Sequence, residues 1–147
     1  MGGVVDTNLL LYAANTDAPE HAAAHRFLAS TLRSSERWYL SEGILYEFLR
    51  VATHPRVFPA ALRAADAVSF LEPLLASPAY SVLVMGDAHW ESLRETLKPL
   101  RQPAGNIFFD IRTVALMREH GVSRLYTADH DFLQFDGIRV INPLRSD

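Results

Sequence analysis

The strongest constraint on this chain is a rhythm: short apolar runs of strand character recur along it, and helical stretches fill the spaces between. The runs are Gly3-Val4-Val5, Trp38-Tyr39-Leu40, Ser81-Val82-Leu83-Val84, Arg124-Leu125-Tyr126-Thr127 and Gly137-Ile138-Arg139-Val140-Ile141. Helical patterns begin at Asn8-Leu9-Leu10-Leu11-Tyr12 and cover about 20–34, Ser41 to about His54, about 60–76, Asp87 to about Leu100, and 107–120. Ser41 reads as a cap, Pro55 ends its helix, Pro73 is expected to kink or shorten helix 60–76, and Gly121 stops the helix before it. Such alternation predicts a three-layer α/β domain with a mainly parallel sheet. At 147 residues, one domain over 1–147 is expected. Ligands of such sheets bind outside the carboxyl ends of the strands, where strand order reverses.

Composition narrows the chemistry. The chain has no cysteine, which excludes disulfides, thiolate zinc sites and cysteine nucleophiles. Its 14 basic residues include a single lysine, Lys98, so Schiff-base and P-loop chemistry are disfavoured and forked arginine contacts favoured. A net charge of −3 excludes a general basic coat, so phosphate binding needs a local basic patch or bound cations. No run approaches the roughly 20 apolar residues of a membrane span and no leader pattern opens the chain, so a cytoplasmic protein is expected.

The acids are the chemical signal. Asp6 follows the first strand, and Asp129 and Asp131 follow the fourth in Thr127-Ala128-Asp129-His130-Asp131. Glu47 and Asp110 sit in apolar helical surroundings, Leu45-Tyr46-Glu47-Phe48-Leu49 and Phe108-Phe109-Asp110-Ile111. Two carboxylates about 5 Å apart repel by roughly 3 kcal/mol at an effective dielectric near 20, so convergence of several implies a cation. Oxygen-only ligands suit Mg²⁺ or Mn²⁺, which activate water and clamp a phosphodiester for in-line displacement. Taken one at a time, each acid has a simpler use. Glu47 shares a helical stripe with Gly43, Arg50 and His54 and can pair with Arg50; Asp110 lies in a first helical turn; Asp6, Asp129 and Asp131 can serve turns.

As an ordered set, the strings Val4-Val5-Asp6-Thr7-Asn8-Leu9-Leu10-Leu11-Tyr12, Leu45-Tyr46-Glu47-Phe48-Leu49-Arg50-Val51, Gly105-Asn106 before Asp110, and Thr127-Ala128-Asp129-His130-Asp131-Phe132 resemble the PIN-domain ribonucleases. The likeness is greatest to their bacterial VapC-type toxin branch and spans essentially the whole chain. It implies a Rossmann-like parallel sheet and a Mg²⁺- or Mn²⁺-dependent endoribonuclease. It also implies a homodimer neutralised by a VapB-type antitoxin. Asp6, Glu47, Asp110 and Asp129 match the family's four acidic positions, Asp131 matches a frequent fifth, and Thr7, Asn8 and Thr127 match polar positions beside them. Ile111 departs from the alanine that often follows the third acid.

Other signals carry less. His21 and His25 lie at i, i+4 but lack a third ligand and read as solvated helix surface. His130 alone among the histidines falls in the acidic loop. Trp90, Phe108, Phe109 and Tyr126 read as core, and Arg50, Arg56 and Arg112 as candidate phosphate contacts. Asp129 is expected to outrank Asp131, which suits the first turn of a short helix. Two other functions compete. A receiver domain would need a lysine beside the acids, whereas Lys98 precedes Pro99 at a helix end. A catalytically silent PIN-like module binding RNA or protein would require a defect that the motif does not show.

Overall fold

The computed structural model describes residues 2–145. Five strands, β1 (Val4–Val5), β2 (Trp38–Ser41), β3 (Tyr80–Leu83), β4 (Arg124–Tyr126) and β5 (Arg139–Ile141), form one sheet in the order β3-β2-β1-β4-β5. Every pairing is parallel; Val4 lies opposite Tyr39 on one side and Leu125 on the other, and Val5 opposite Tyr126. The expected α/β architecture is present, with a fully parallel sheet. Successive side chains of a strand point to opposite faces, and Val4 and Val5 are both buried, so both faces of the central strand are covered.

The helices are α1 (Thr7–Ala14), α2 (His21–Arg33), α3 (Glu42–Ala52), α4 (Ala64–Ala76), α5 (His89–Leu97) and α6 (Ile107–Glu119). Helix α1 packs on α2 and α3, and α5 packs on α6. Local chemistry sets their starts. The Ser41 hydroxyl accepts from Ile44 N at 3.1 Å, and the Asp6 carboxylate accepts from Thr7 N at 2.9 Å, so the acid at the end of β1 also opens α1. Helix α4 begins at Ala64, later than the expected 60, because the preceding chain is committed elsewhere: Phe58 is buried and Leu62 N donates to Ala52 O at 2.8 Å. It runs through Pro73 and ends at Ala76. Helix α5 is shorter than the expected 87–100, covering His89–Leu97.

Strand order places the site. The chain steps outward from β1 through β2 to β3, then crosses back past β1 to lay down β4 and β5. The reversal therefore falls between β1 and β4, and a crevice opens beyond their carboxyl ends. Asp6 leaves β1 there, and Thr127 to Asp131 leave β4. Helix α6 delivers Asp110 from its first turn while Ile111, Val114 and Met117 on its other side are fully buried. The departure at Ile111 thus falls on the packing face of the helix. Among the described residues no helix is long and apolar enough to cross a membrane.

Candidate active site

The crevice is organised around one hydroxyl. Thr127 Oγ1 donates to Asp6 Oδ2 at 2.8 Å, and accepts from Asn8 Nδ2 at 2.9 Å and from Asp129 N at 3.0 Å. Asn8 completes the lock: its amide also reaches Asp6 Oδ2 at 3.3 Å, while its Oδ1 accepts from Ala128 N at 3.2 Å. The turns after β1 and β4 are thereby fastened to each other by side chains. Thr7 Oγ1 donates to Glu47 Oε2 at 3.3 Å, which ties the acid of α3 to the same turn. Glu47 is exposed, and among the described residues it makes no ion pair with Arg50. Thr7, Asn8 and Thr127 all stand beside the acids.

Asp110, Asp129 and Asp131 each offer a carboxylate oxygen, and these three oxygens lie within 4.8 Å of one another. Asp6 and Glu47 border this group. Asp6 is buried, and desolvation raises its carboxyl from an ordinary 3.8 to about 6. Hydrogen bonds from Thr127 and Thr7 oppose that rise, while the charges of Glu47 and Asp129 add to it. Asp110 is pushed to about 7, first by burial and then by the charges of Asp6, Asp129, Asp131 and Glu47. It has no hydrogen-bonding partner among the described residues. Three acids therefore cluster, Asp6 and Glu47 act on them through their charges, and among the described residues no basic side chain is paired with any of the five. Their repulsion is the quantity that a bound cation relieves.

Asp131 lies in the first turn of a short helix, as expected, but the bond to a backbone donor there is made by Asp129. The cap of the short 3₁₀ turn His130–Gln134 is Asp129, whose Oδ1 accepts from Asp131 N at 2.8 Å. Asp131, expected to satisfy backbone donors, instead turns an exposed carboxylate toward Asp110 and Asp129. His130 lines a cleft of about 550 Å³ together with Thr127 and Asp129, and there its Nε2 lies 3.0 Å from an Nη of Arg145. Arginine only donates, so His130 accepts there. His21 holds the Tyr12 carbonyl at 3.1 Å and His25 is exposed, as a surface pair should be.

The aromatic expectations divide. Tyr126 packs against Trp38 and Phe27 with centroids 4.8 and 5.4 Å apart. Trp90, Phe108 and Phe109 are exposed, against the expectation of core, because the apolar positions of α5 and α6 that face inward are others. Phe109 and Tyr46, 62% and 68% exposed, share a cleft of about 280 Å³ with Gly43, Glu47, Arg50 and Arg112 between α3 and α6. Arg50 and Arg112 thus reach the rim of the site; Arg56 lies in the loop after α3 and lines neither cleft. Gly43 belongs to the helical stripe of Glu47, and Tyr46 carries no sequence signal of its own. The usable signal was a glycine inside an otherwise strong helix, one turn before Glu47.

Compared with known proteins, the chain matches the family model for the PIN domain over residues 3–138. Ribonuclease VapC48 of Mycobacterium tuberculosis (strain ATCC 25618 / H37Rv) is 31% identical over 143 residues, which is 97% of this chain and 98% of that protein. Ribonuclease VapC33 of the same strain is 32% identical over 142 residues, again 97% and 98%. Among solved structures, VapBC2 from Rickettsia felis, bound to a DNA fragment from their promoter, matches with a TM-score of 0.70 at 16% identity, covering 97% of this chain and 98% of that one. The sarcin-ricin loop cleaving toxin VapC20 of M. tuberculosis matches with a TM-score of 0.64 at 24% identity, covering 92% and 98%.

Proposed function

We propose, from the premise that this chain belongs to the PIN-domain family, that it is a divalent-cation-dependent endoribonuclease and the toxin of a VapBC-type pair. The observation that supports the reading is the cluster of Asp110, Asp129 and Asp131 at the reversal of strand order, with the charges of Asp6 and Glu47 acting on it and the Asp6 and Asp110 carboxyls raised toward neutrality. Buried or crowded acids with no basic partner fit a hard cation with oxygen ligands. Asp110, Asp129 and Asp131 would hold it, with Asp6 and Glu47 completing the charge around it. Bound there, Mg²⁺ or Mn²⁺ supplies Lewis-acid activation of water and of the phosphodiester.

The chain's own groups do the positioning. Thr127 and Asn8 hold the Asp6 carboxylate in one orientation, and Thr7 holds Glu47. The Asp129 cap fixes the turn that presents Asp131. Arg50 and Arg112 offer contacts to substrate phosphates at the rim. A VapB-type antitoxin is the partner; an arginine or lysine from it would satisfy the same unpaired carboxylates and exclude cation and RNA together. The reading includes a homodimer, which light scattering of the purified protein measures directly.

The test is incubation of the full chain with transfer and ribosomal RNA in Mg²⁺ or Mn²⁺, beside matched reactions in EDTA and with Asp110→Asn. Endonucleolytic fragments that require the cation and disappear in the variant are expected, together with a rise in melting temperature on adding Mn²⁺ to RNA-free protein. Fragments that persist in EDTA or in Asp110→Asn would overturn the assignment. A folded, cation-stabilised protein that cuts no RNA would support a silent binding module instead.

A further inference from the structure

The cleft between α3 and α6 is built around an arginine. The Arg112 guanidinium lies on Gly43, so closely that a Cβ at that position would overlap it. No carboxylate holds it there: among the described residues Arg112 has neither an ion pair nor a hydrogen bond, although Glu42 and Glu47 are on the facing helix. Glycine leaves this place on α3 open, and a side chain there would displace the exposed, flexible end of Arg112 from it. Two aromatic rings, Tyr46 and Phe109, stand exposed in the same cleft, and Arg50 lies at its edge. Glu47, which Thr7 ties to the Asp6 turn, is part of the cleft wall, so the cleft opens directly onto the acids.

We propose that Gly43, Arg112, Tyr46 and Phe109 form a subsite for one unpaired nucleotide of the RNA, adjacent to the nucleotide whose phosphate is cut. The inference rests on the ribonuclease reading and deepens it. A strand held by its scissile phosphate at the carboxylates must continue into a neighbouring cleft, and a single strand offers alternating phosphates and unstacked bases. This cleft offers the matching pair: an unpartnered forked cation for phosphate and exposed rings for a base. Base–aromatic stacking tolerates any base, and it requires the base to be unpaired. Duplex RNA, whose bases are already stacked, does not satisfy it. The subsite therefore selects loops and single-stranded segments.

The experiment measures binding in an Asp110→Asn background with Mg²⁺, where RNA is held without being cut. The probes are a short fluorescent single-stranded RNA of mixed sequence and an oligomer with the same backbone but abasic residues. Tyr46→Leu combined with Phe109→Leu should weaken binding of the normal RNA about tenfold and leave the abasic oligomer unaffected. Arg112→Gln and Gly43→Ala should weaken both oligomers alike, and Arg112→Gln should reduce the salt dependence by about one released counterion. Equal effects of the ring substitutions on both oligomers, or none on either, would overturn the subsite while leaving the ribonuclease reading intact. So would ring variants that bind RNA normally but lose a VapB-type antitoxin, since the cleft would then belong to the protein partner. Absence of RNA binding both in the Asp110→Asn background and in the unsubstituted protein would overturn both.

Discussion

Thr127 Oγ1 donates a 2.8 Å hydrogen bond to Asp6 Oδ2, joining residues 121 positions apart at the ends of neighbouring strands. The same oxygen accepts from Asn8 and from the backbone of Asp129, so a single buried hydroxyl has all its bonding capacity committed. Asp6, although buried, is thereby held in one orientation by donors from both turns. This explains how a carboxylate survives at the end of a central strand whose Val4 and Val5, like Leu125 of the neighbouring β4, are fully enclosed.

Thr127→Val removes that hub without changing its shape. Asn8 Nδ2 and Asp129 N lose an acceptor and Asp6 loses a donor, at an expected cost of about 1–3 kcal/mol. Thr127→Ser should recover most of it. Denaturant unfolding of the three proteins checks the stability, and cleavage should fall in Thr127→Val and return in the serine variant.

The two raised carboxyls make the cation-free protein sensitive to pH. Asp6 rises from 3.8 to about 6 and Asp110 to about 7, so between these values the folded protein binds protons that the unfolded chain has released. The contribution to stability is fully present below about pH 4 and is lost as pH rises through 6 to 7. Melting temperature in EDTA should therefore fall from pH 5 to pH 8 on account of these groups, and Mg²⁺ or Mn²⁺ should restore it at the upper end. A melting temperature independent of pH would count against convergence of the acids.

Asp110→Asn and Asp6→Asn should behave differently. Asp110 has no hydrogen bond to lose among the described residues, and its replacement removes one like charge, so cation-free protein should melt on the order of a few degrees higher. Asp6 accepts on both oxygens, so an amide there must set its NH₂ against a donor from Thr7 or from Thr127 and Asn8. Its replacement should bring little gain or a loss. Both should abolish cleavage, and calorimetry in EDTA separates them.

Asp129 and Asp131 separate along another axis. Asp129→Ala should lose cleavage and about 1 kcal/mol, because the cap to Asp131 N goes with the carboxylate, whereas Asp129→Asn retains the cap. Asp131→Asn should leave stability unchanged or higher and raise the Mn²⁺ concentration needed for activity. Titration of cleavage against Mn²⁺, beside unfolding curves, reads both quantities.

Away from the acids, Glu119 accepts from Gly86 N at 2.7 Å with one oxygen and faces His89 Nδ1 at 3.0 Å with the other, both side chains being nearly enclosed. It fixes the connection from β3 into α5. Glu119→Ala leaves the buried His89 without its partner and releases the Gly86 N–H, which is exposed and finds water, and should cost about 1–2 kcal/mol. Thermal unfolding checks this, and cleavage per folded molecule should persist.

What the sequence determined by itself was whatever local rules can encode: the alternation of strand and helix, the cap at Ser41, the mainly parallel sheet that such alternation requires, and the ordered acids of the PIN pattern. Strand order was not local. Only the pairing of β1 with β4 brought Thr127 onto Asp6, because a hydrogen bond across 121 residues depends on which strands are neighbours. Tertiary packing also decided that Phe109 is exposed while Ile111 is buried, since the buried face of a helix in a covered sheet is chosen by its neighbours as well as by its own periodicity. It gave the cap to Asp129 and the free carboxylate to Asp131, a distinction resting on one turn's hydrogen bonds that both acids could have made. The Gly43 and Arg112 contact belongs to the same class: a glycine in a helix announces that something approaches, and only the fold shows that it is a guanidinium from the helix bearing Asp110.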